Sequence, residues 1–132
     1  MSAQWEVQKA IYTALSSDTT FMTKIGSRLY DEPPTNESFP YVVLGQMIEN
    51  KYNRFNSKGF EIFSRLDIYT KTGRLGFKPA KEILVEMNRL LNQKIFSLTG
   101  YSMIQCYYEN SDTARDEDKR IITVRYTVLV QE

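Results

Sequence analysis

The chain has 132 residues, 42% of them hydrophobic and 25% charged, with no histidine and a single cysteine. That length buries roughly 65–70% of the surface of the unfolded chain, so a core can form without metal or disulfides. Without histidine there is no Ser-His-Asp or Cys-His catalysis and no common general base near neutral pH. One cysteine also rules out an internal disulfide and a Cys/His zinc site.

Lysine and arginine number 17 against 16 acidic residues, a net charge of +1. A duplex-binding domain is usually clearly basic, and this chain is balanced. Residues Met1 to Glu6 have neither the basic nor the apolar region of a signal peptide. No apolar run approaches the ~20 residues that span a bilayer, so no membrane contact is expected. The lone cysteine fits a reducing compartment.

Val7, Ala10, Ile11, Ala14 and Leu15 recur at helical spacing and predict an amphipathic helix over 3–16. Asp18 or Ser17 caps a second, short helix to about Lys24, with Phe21 and Ile25 facing inward and Gly26 as its stop. Arg28, Leu29 and Tyr30 suit a short edge strand. Residues 31–40 hold Pro33, Pro34 and Pro40 and read as an extended loop. Tyr41-Val42-Val43-Leu44 opens a strand to about Asn50, and Asn53, Asn56, Ser57 and Gly59 mark a hairpin tip.

The following strand alternates Phe60, Ile62, Ser64, Leu66 and Ile68 against Glu61, Phe63, Arg65, Asp67 and Tyr69. Gly73 and Gly76 break the chain before a helix over 78–92, with Pro79 in its first turn and a stripe of Ile83, Leu84, Met87, Leu90 and Leu91. A strand over 101–109, a polar loop over 111–118 and a strand over 120–130 complete the order ααββαββ. This order predicts an α+β two-layer sandwich of one domain over 1–132. Its sheet is antiparallel or mixed, of about four strands, with helices on one face.

Four features invite a chemical reading. The tip Lys51 to Lys58 mixes basic and aromatic residues, including Tyr52, Arg54 and Phe55, as single-strand binders do. At near-zero net charge a polar hairpin or a protein contact is favoured. Lys58-Gly59-Phe60 opens like an RNA-recognition signature, but Glu61 and Ile62 break it. Lys71, Arg74, Lys78 and Lys81 form a basic run that matches no phosphate-binding fingerprint. Asp112, Asp116, Glu117 and Asp118 cluster without EF-hand spacing and read as a solvated, self-repelling loop. Cys106, grouped with Ile104 and Tyr108, reads as a buried core residue. Nine tyrosines and seven phenylalanines exceed what one core needs, which places Phe63 and Tyr69 on the outer sheet face as a contact surface, unless the N-terminal helix pair covers it.

The whole-chain pattern resembles the tail-completion (tail-to-head joining, or tail-terminator) proteins of long non-contractile-tailed phages. The resemblance rests on Ala10-Ile11-Tyr12, Ala14-Leu15 and Asp18, then Gly26 to Asp31, then Phe39-Pro40-Tyr41-Val42-Val43-Leu44-Gly45. It continues through Gly59 and Glu61, Tyr69-Thr70-Lys71, Lys81 and Ile83, Leu98 and Gly100, an acidic loop, and Tyr126 with Val128. Two positions depart from it. Pro79 stands where relatives tend to carry glutamate, and Asp118-Lys119 where they often carry Asp-Gly.

The resemblance implies a non-enzymatic virion protein at the head-proximal end of the tail, made in the host cytoplasm. It implies a homo-hexameric ring that stops tail-tube polymerisation and docks the head connector (stopper) protein, with DNA passing through unbound. If the ring needs the tube as template, the free protein is monomeric. No cofactor or metal is expected. The contact residues expected are Tyr52, Arg54 and Phe55, with Asp31 and Glu32, and the lumen residues Asp112, Asp116, Glu117 and Asp118. The competing reading is a single-stranded nucleic-acid module using the 51–60 tip and the 71–81 basic run. A carboxylate-based enzyme is a third class, for which the sequence shows no constellation.

Overall fold

The structure is a computed structural model that describes residues 3–36, 38–52 and 58–132. Helix α1 spans Gln4–Ser16 and α2 spans Thr19–Lys24, followed by the two-residue strand β1, Leu29–Tyr30. Strands β2 (Tyr41–Lys51) and β3 (Gly59–Lys71) precede helix α3 (Lys78–Leu91), and β4 (Ser102–Asp116) and β5 (Lys119–Gln131) end the chain. The sheet is mixed and five-stranded, ordered β1-β2-β3-β5-β4, with only the β1–β2 pair parallel. The α+β two-layer architecture is the one expected, and β1 adds a short parallel edge to the four antiparallel strands.

Alternation along β3 and β5 builds the inner face. Ile62, Leu66, Ile68, Ile122, Val124, Tyr126, Val128 and Val130 are buried there. Val7, Ile11 and Leu15 of α1, Phe21 of α2, and Ala80, Ile83, Met87 and Leu91 of α3 join them in one apolar cluster. Each of the buried Val, Leu, Ile, Phe and Met side chains contributes roughly 1.5–3 kcal/mol relative to an exposed one. The N-terminal helix pair therefore packs on the inner face and leaves the outer face uncovered by it. Tyr126 is fully buried, and its hydroxyl donates to Asn88 Oδ1 on α3, which ties sheet to helix.

Local chemistry sets the helix ends. Asp18 is the N-cap of α2, its carboxylate accepting from the Phe21 amide at 2.9 Å. Gly26 and Ser27 both adopt left-handed φ after Lys24, and the Ser27 amide returns to the Met22 carbonyl at 2.9 Å. The hydrogen bond from the Phe21 amide, and secondarily Arg89 at 2.7 Å, hold the Asp18 carboxyl below its ordinary pKa. A depressed folded-state pKa stabilises above the unfolded value and ceases to as pH falls through the folded one. Asp18→Ala is therefore expected to lower Tm at neutral pH, with the gap from wild type closing in acid. Thermal melts at both pH values measure it, and a pH-independent gap would refute the carboxylate's part.

The end of β4 corrects the sequence reading. Residues 111–116 are not a loop: β4 runs unbroken to Asp116, and its turn to β5 is only Glu117-Asp118. Polar residues there have little intrinsic strand preference, and pairing with β5 overrides it. Register shifts at Met103/Gln105 and Tyr108/Asn110 re-aim side chains, so Cys106 is buried while Ile104 is exposed, not on one face with it. Glu117 takes the left-handed φ of the turn, and Lys119 begins β5.

Candidate functional site

The candidate contact segments fall on different ends and flanks of the sheet. Strand β3 spans 13 residues, Gly59 to Lys71. At about 3.3 Å per residue its ends lie roughly 40 Å apart. The β2–β3 hairpin is at one end. At the other lie Ser38, Phe39 and Pro40 against Lys71 and Pro79, and the Glu117-Asp118 turn, whose Asp118 carbonyl accepts from the Thr72 amide at 2.7 Å. Arg28 clasps this second end, donating to the carbonyls of Pro40 at 2.8 Å and Phe39 at 2.9 Å.

Of the first-named contact residues, Tyr52 is half-buried at the foot of the hairpin, its amide donating to the Gly59 carbonyl at 2.8 Å. Arg54 and Phe55, with Asn53, Asn56 and Ser57, lie outside the described residues. Asp31 and Glu32 are exposed just after β1. Asp31 lines a groove of about 300 Å³ with Trp5, Gln8, Lys9, Tyr12, Thr13 and Leu44. Trp5 and Tyr12 are 60% and 42% exposed, a large aromatic surface left outside a finished core. Sequence reasoning passed over both. The signal was present, since they are seven residues apart on one flank of α1, roughly 110° round the helix from Val7, Ile11 and Leu15.

The acidic residues do not act as one patch. Asp112 pairs with Arg125 at 2.9 Å across the outer face. Asp116 is in register with Lys119, and Arg115 with Arg120, so bases interleave with Asp116, Glu117 and Asp118. The basic run is exposed at the same end, with Lys71 in register with Lys119 and Leu75 63% exposed beside it. Among the described residues, the foot of the hairpin and this basic run, which belong to the two halves of the nucleic-acid reading, are thus separated by the length of β3.

The outer sheet face carries Ile48 and Phe63 as register neighbours, both exposed, with Gln46, Arg65 and Arg125 around a shallow groove. The expected exposure holds for Phe63. Tyr69 instead stacks on Tyr41 at 4.8 Å, in an aromatic group with Phe39 and Tyr30, and burial raises its pKa. Gly45 lies at the β2 bulge, where an added Cβ would come within 3.0 Å of the Arg65 carbonyl. Cys106 is buried, and desolvation pushes its thiol up to about 12, far from the thiolate a nucleophile needs.

Comparisons with known proteins bear on the fold and the family of the chain. No curated protein sequence matches the chain significantly. Among solved structures, a chain of the virion of a native gene transfer agent (GTA) particle superposes with a TM-score of 0.90 at 21% identity, covering 99% of this chain and 98% of that one. A second solved chain, 10% identical, superposes with a TM-score of 0.67 over 100% of this chain and 96% of its own. These likenesses establish the fold. The family profile described as "Tail completion protein gp17" matches residues 9–131. The chain therefore belongs to the tail completion protein gp17 family, structural proteins of the bacteriophage tail.

Proposed function

We propose that the protein caps the head-proximal end of the tail tube, stops its polymerisation and presents the docking surface for the head connector, working as a ring and without catalysis. The observation that carries this reading, beside the family match over 9–131, is the division of the exposed segments between two sheet ends. A cap must meet the tube on one side and the connector on the other, and the two ends lie roughly 40 Å apart by strand rise. The hairpin with Tyr52, Arg54 and Phe55 serves one partner. The end built from 38–40, Leu75 and the Glu117-Asp118 turn serves the other. In this arrangement the turn also borders the lumen. Arg115, Lys119 and Arg120 offset Asp116, Glu117 and Asp118 there, so the wall does not grip passing DNA as a cationic surface would.

Complementation of a phage lacking its own tail-completion protein tests the proposal. The wild-type chain is expected to restore joined particles and a uniform tail length in electron micrographs. Joined particles with tails of unregulated length would remove the polymerisation stop, and unjoined heads and tails would remove the whole reading. The folded double variant Tyr52→Ala, Phe55→Ala is expected to lower infectious titre at least tenfold, whereas full titre would exclude the hairpin from either interface. Salt-dependent micromolar binding of an oligonucleotide would favour the nucleic-acid reading instead.

A further inference from the structure

Two exposed apolar patches stand at opposite edges of the sheet. The first is the groove of Trp5, Tyr12 and Leu44, on α1 and β2, with Asp31 in its wall and Glu32 beside it. The second is on the segment that covers the start of β4. There the Gln93 amide donates to the Cys106 carbonyl at 2.7 Å, and Ser97 bridges Ser102 in antiparallel sense. That register sets residue 95 opposite residue 104. Ile95 and Ile104 are 68% and 48% exposed, and Lys94 is exposed next to them. From β2 to β4 the sheet takes three strand steps, roughly 14 Å at about 4.8 Å each.

We propose that these two patches are the contact between neighbouring copies of this chain. Ile95 and Ile104 of one copy seat in the Trp5–Tyr12 groove of the next, with Lys94 facing Asp31 and Glu32. The inference rests on the ring reading above and names the surfaces that close it. A head-to-tail contact repeats only if it uses two different patches on different sides of the subunit, and these are two such patches.

Charge selects the pairing. The groove side carries Asp31 and Glu32, its lining Lys9 being already paired with Glu6 at 2.8 Å, and the isoleucine side carries Lys94, so unlike sides attract and two grooves facing each other repel. The rest of the β4 edge is a poor substitute. Glu109, Asp112 and Asp116 lie along it, and charges on an open edge discourage pairing with a copy of itself.

Disulfide trapping tests the contact. Tyr12→Cys and Ile95→Cys both alter exposed side chains, and Cys106 is buried and cannot compete. The double-cysteine chain, at millimolar concentration in low salt with a mild oxidant, is expected to give a ladder of dimers, trimers and higher species on a non-reducing gel. Mixing the two single-cysteine chains should give dimers only. Adding Lys94→Glu should thin the ladder several-fold, and adding Asp31→Lys with Glu32→Lys to that chain should restore it. Circular dichroism confirms that each variant folds. No ladder, equal dimer from one single-cysteine chain alone, or a ladder indifferent to charge reversal would each overturn the contact. A chain that completes tails yet gives no ladder loses only this contact. One that gives the ladder yet fails complementation loses only the tail role.

Discussion

Phe21→Ala is expected to lower stability by about 3–5 kcal/mol, the range for emptying a buried aromatic site. Phe21 is fully buried although it belongs to a helix of only six residues. So short a helix has little stability of its own, and its place depends on packing. Phe21 supplies that packing from α2, which touches both α1 and α3. With total stability of about 5–15 kcal/mol for a typical domain, the variant should unfold at much lower urea, with the slope of the transition unchanged. Phe21→Leu should recover a large part of the loss. A cost under about 1 kcal/mol would show that the site collapses without strain and that α2 is held by other contacts.

Gly59 is the second sensitive position, and its reason differs from that of a turn glycine. Its φ is not in the left-handed region. Instead an added Cβ would lie 2.7 Å from both the Tyr52 and Val130 carbonyl oxygens, which are backbone atoms on either side. Neither can swing away as a side chain would. Gly59→Ala is therefore expected to spread the β2–β3 hairpin foot from the end of β5, at about 1–3 kcal/mol. Gly73→Ala is the control. A Cβ there meets nothing within 4 Å, and φ is not positive. That change should be neutral or stabilise by up to about 1 kcal/mol through the unfolded chain. Equal effects at the two glycines, read from urea midpoints, would sink the close-approach argument. Because Gly59 anchors the hairpin that carries Tyr52, the variant should also weaken head–tail joining at temperatures where it remains folded.

Strict periodicity determined much of this protein from sequence alone. Val7, Ile11 and Leu15 placed α1, and the Asp18 cap and Gly26 stop bounded α2. Alternation in β3 and β5 fixed which side chains face the helices, because a one-residue slip would reverse every one of them. The absent histidine and single cysteine closed most catalytic routes before any fold was known.

Only tertiary structure decided the rest. Residues 111–116 are strand because β5 lies beside them, a partner no local pattern announces. The Met103/Gln105 shift turned Ile104 outward, and no periodicity rule anticipates such a bulge. Asp112 met Arg125 across the sheet, which divided an acidic run that looked continuous along the chain. Asp31 joined Trp5 and Tyr12 because β1 runs parallel to β2 and delivers the chain alongside Leu44. Sequence sets what each segment can bury. Which exposed residues share a surface depends on strand pairings between distant parts of the chain, and the protein's contacts are built there.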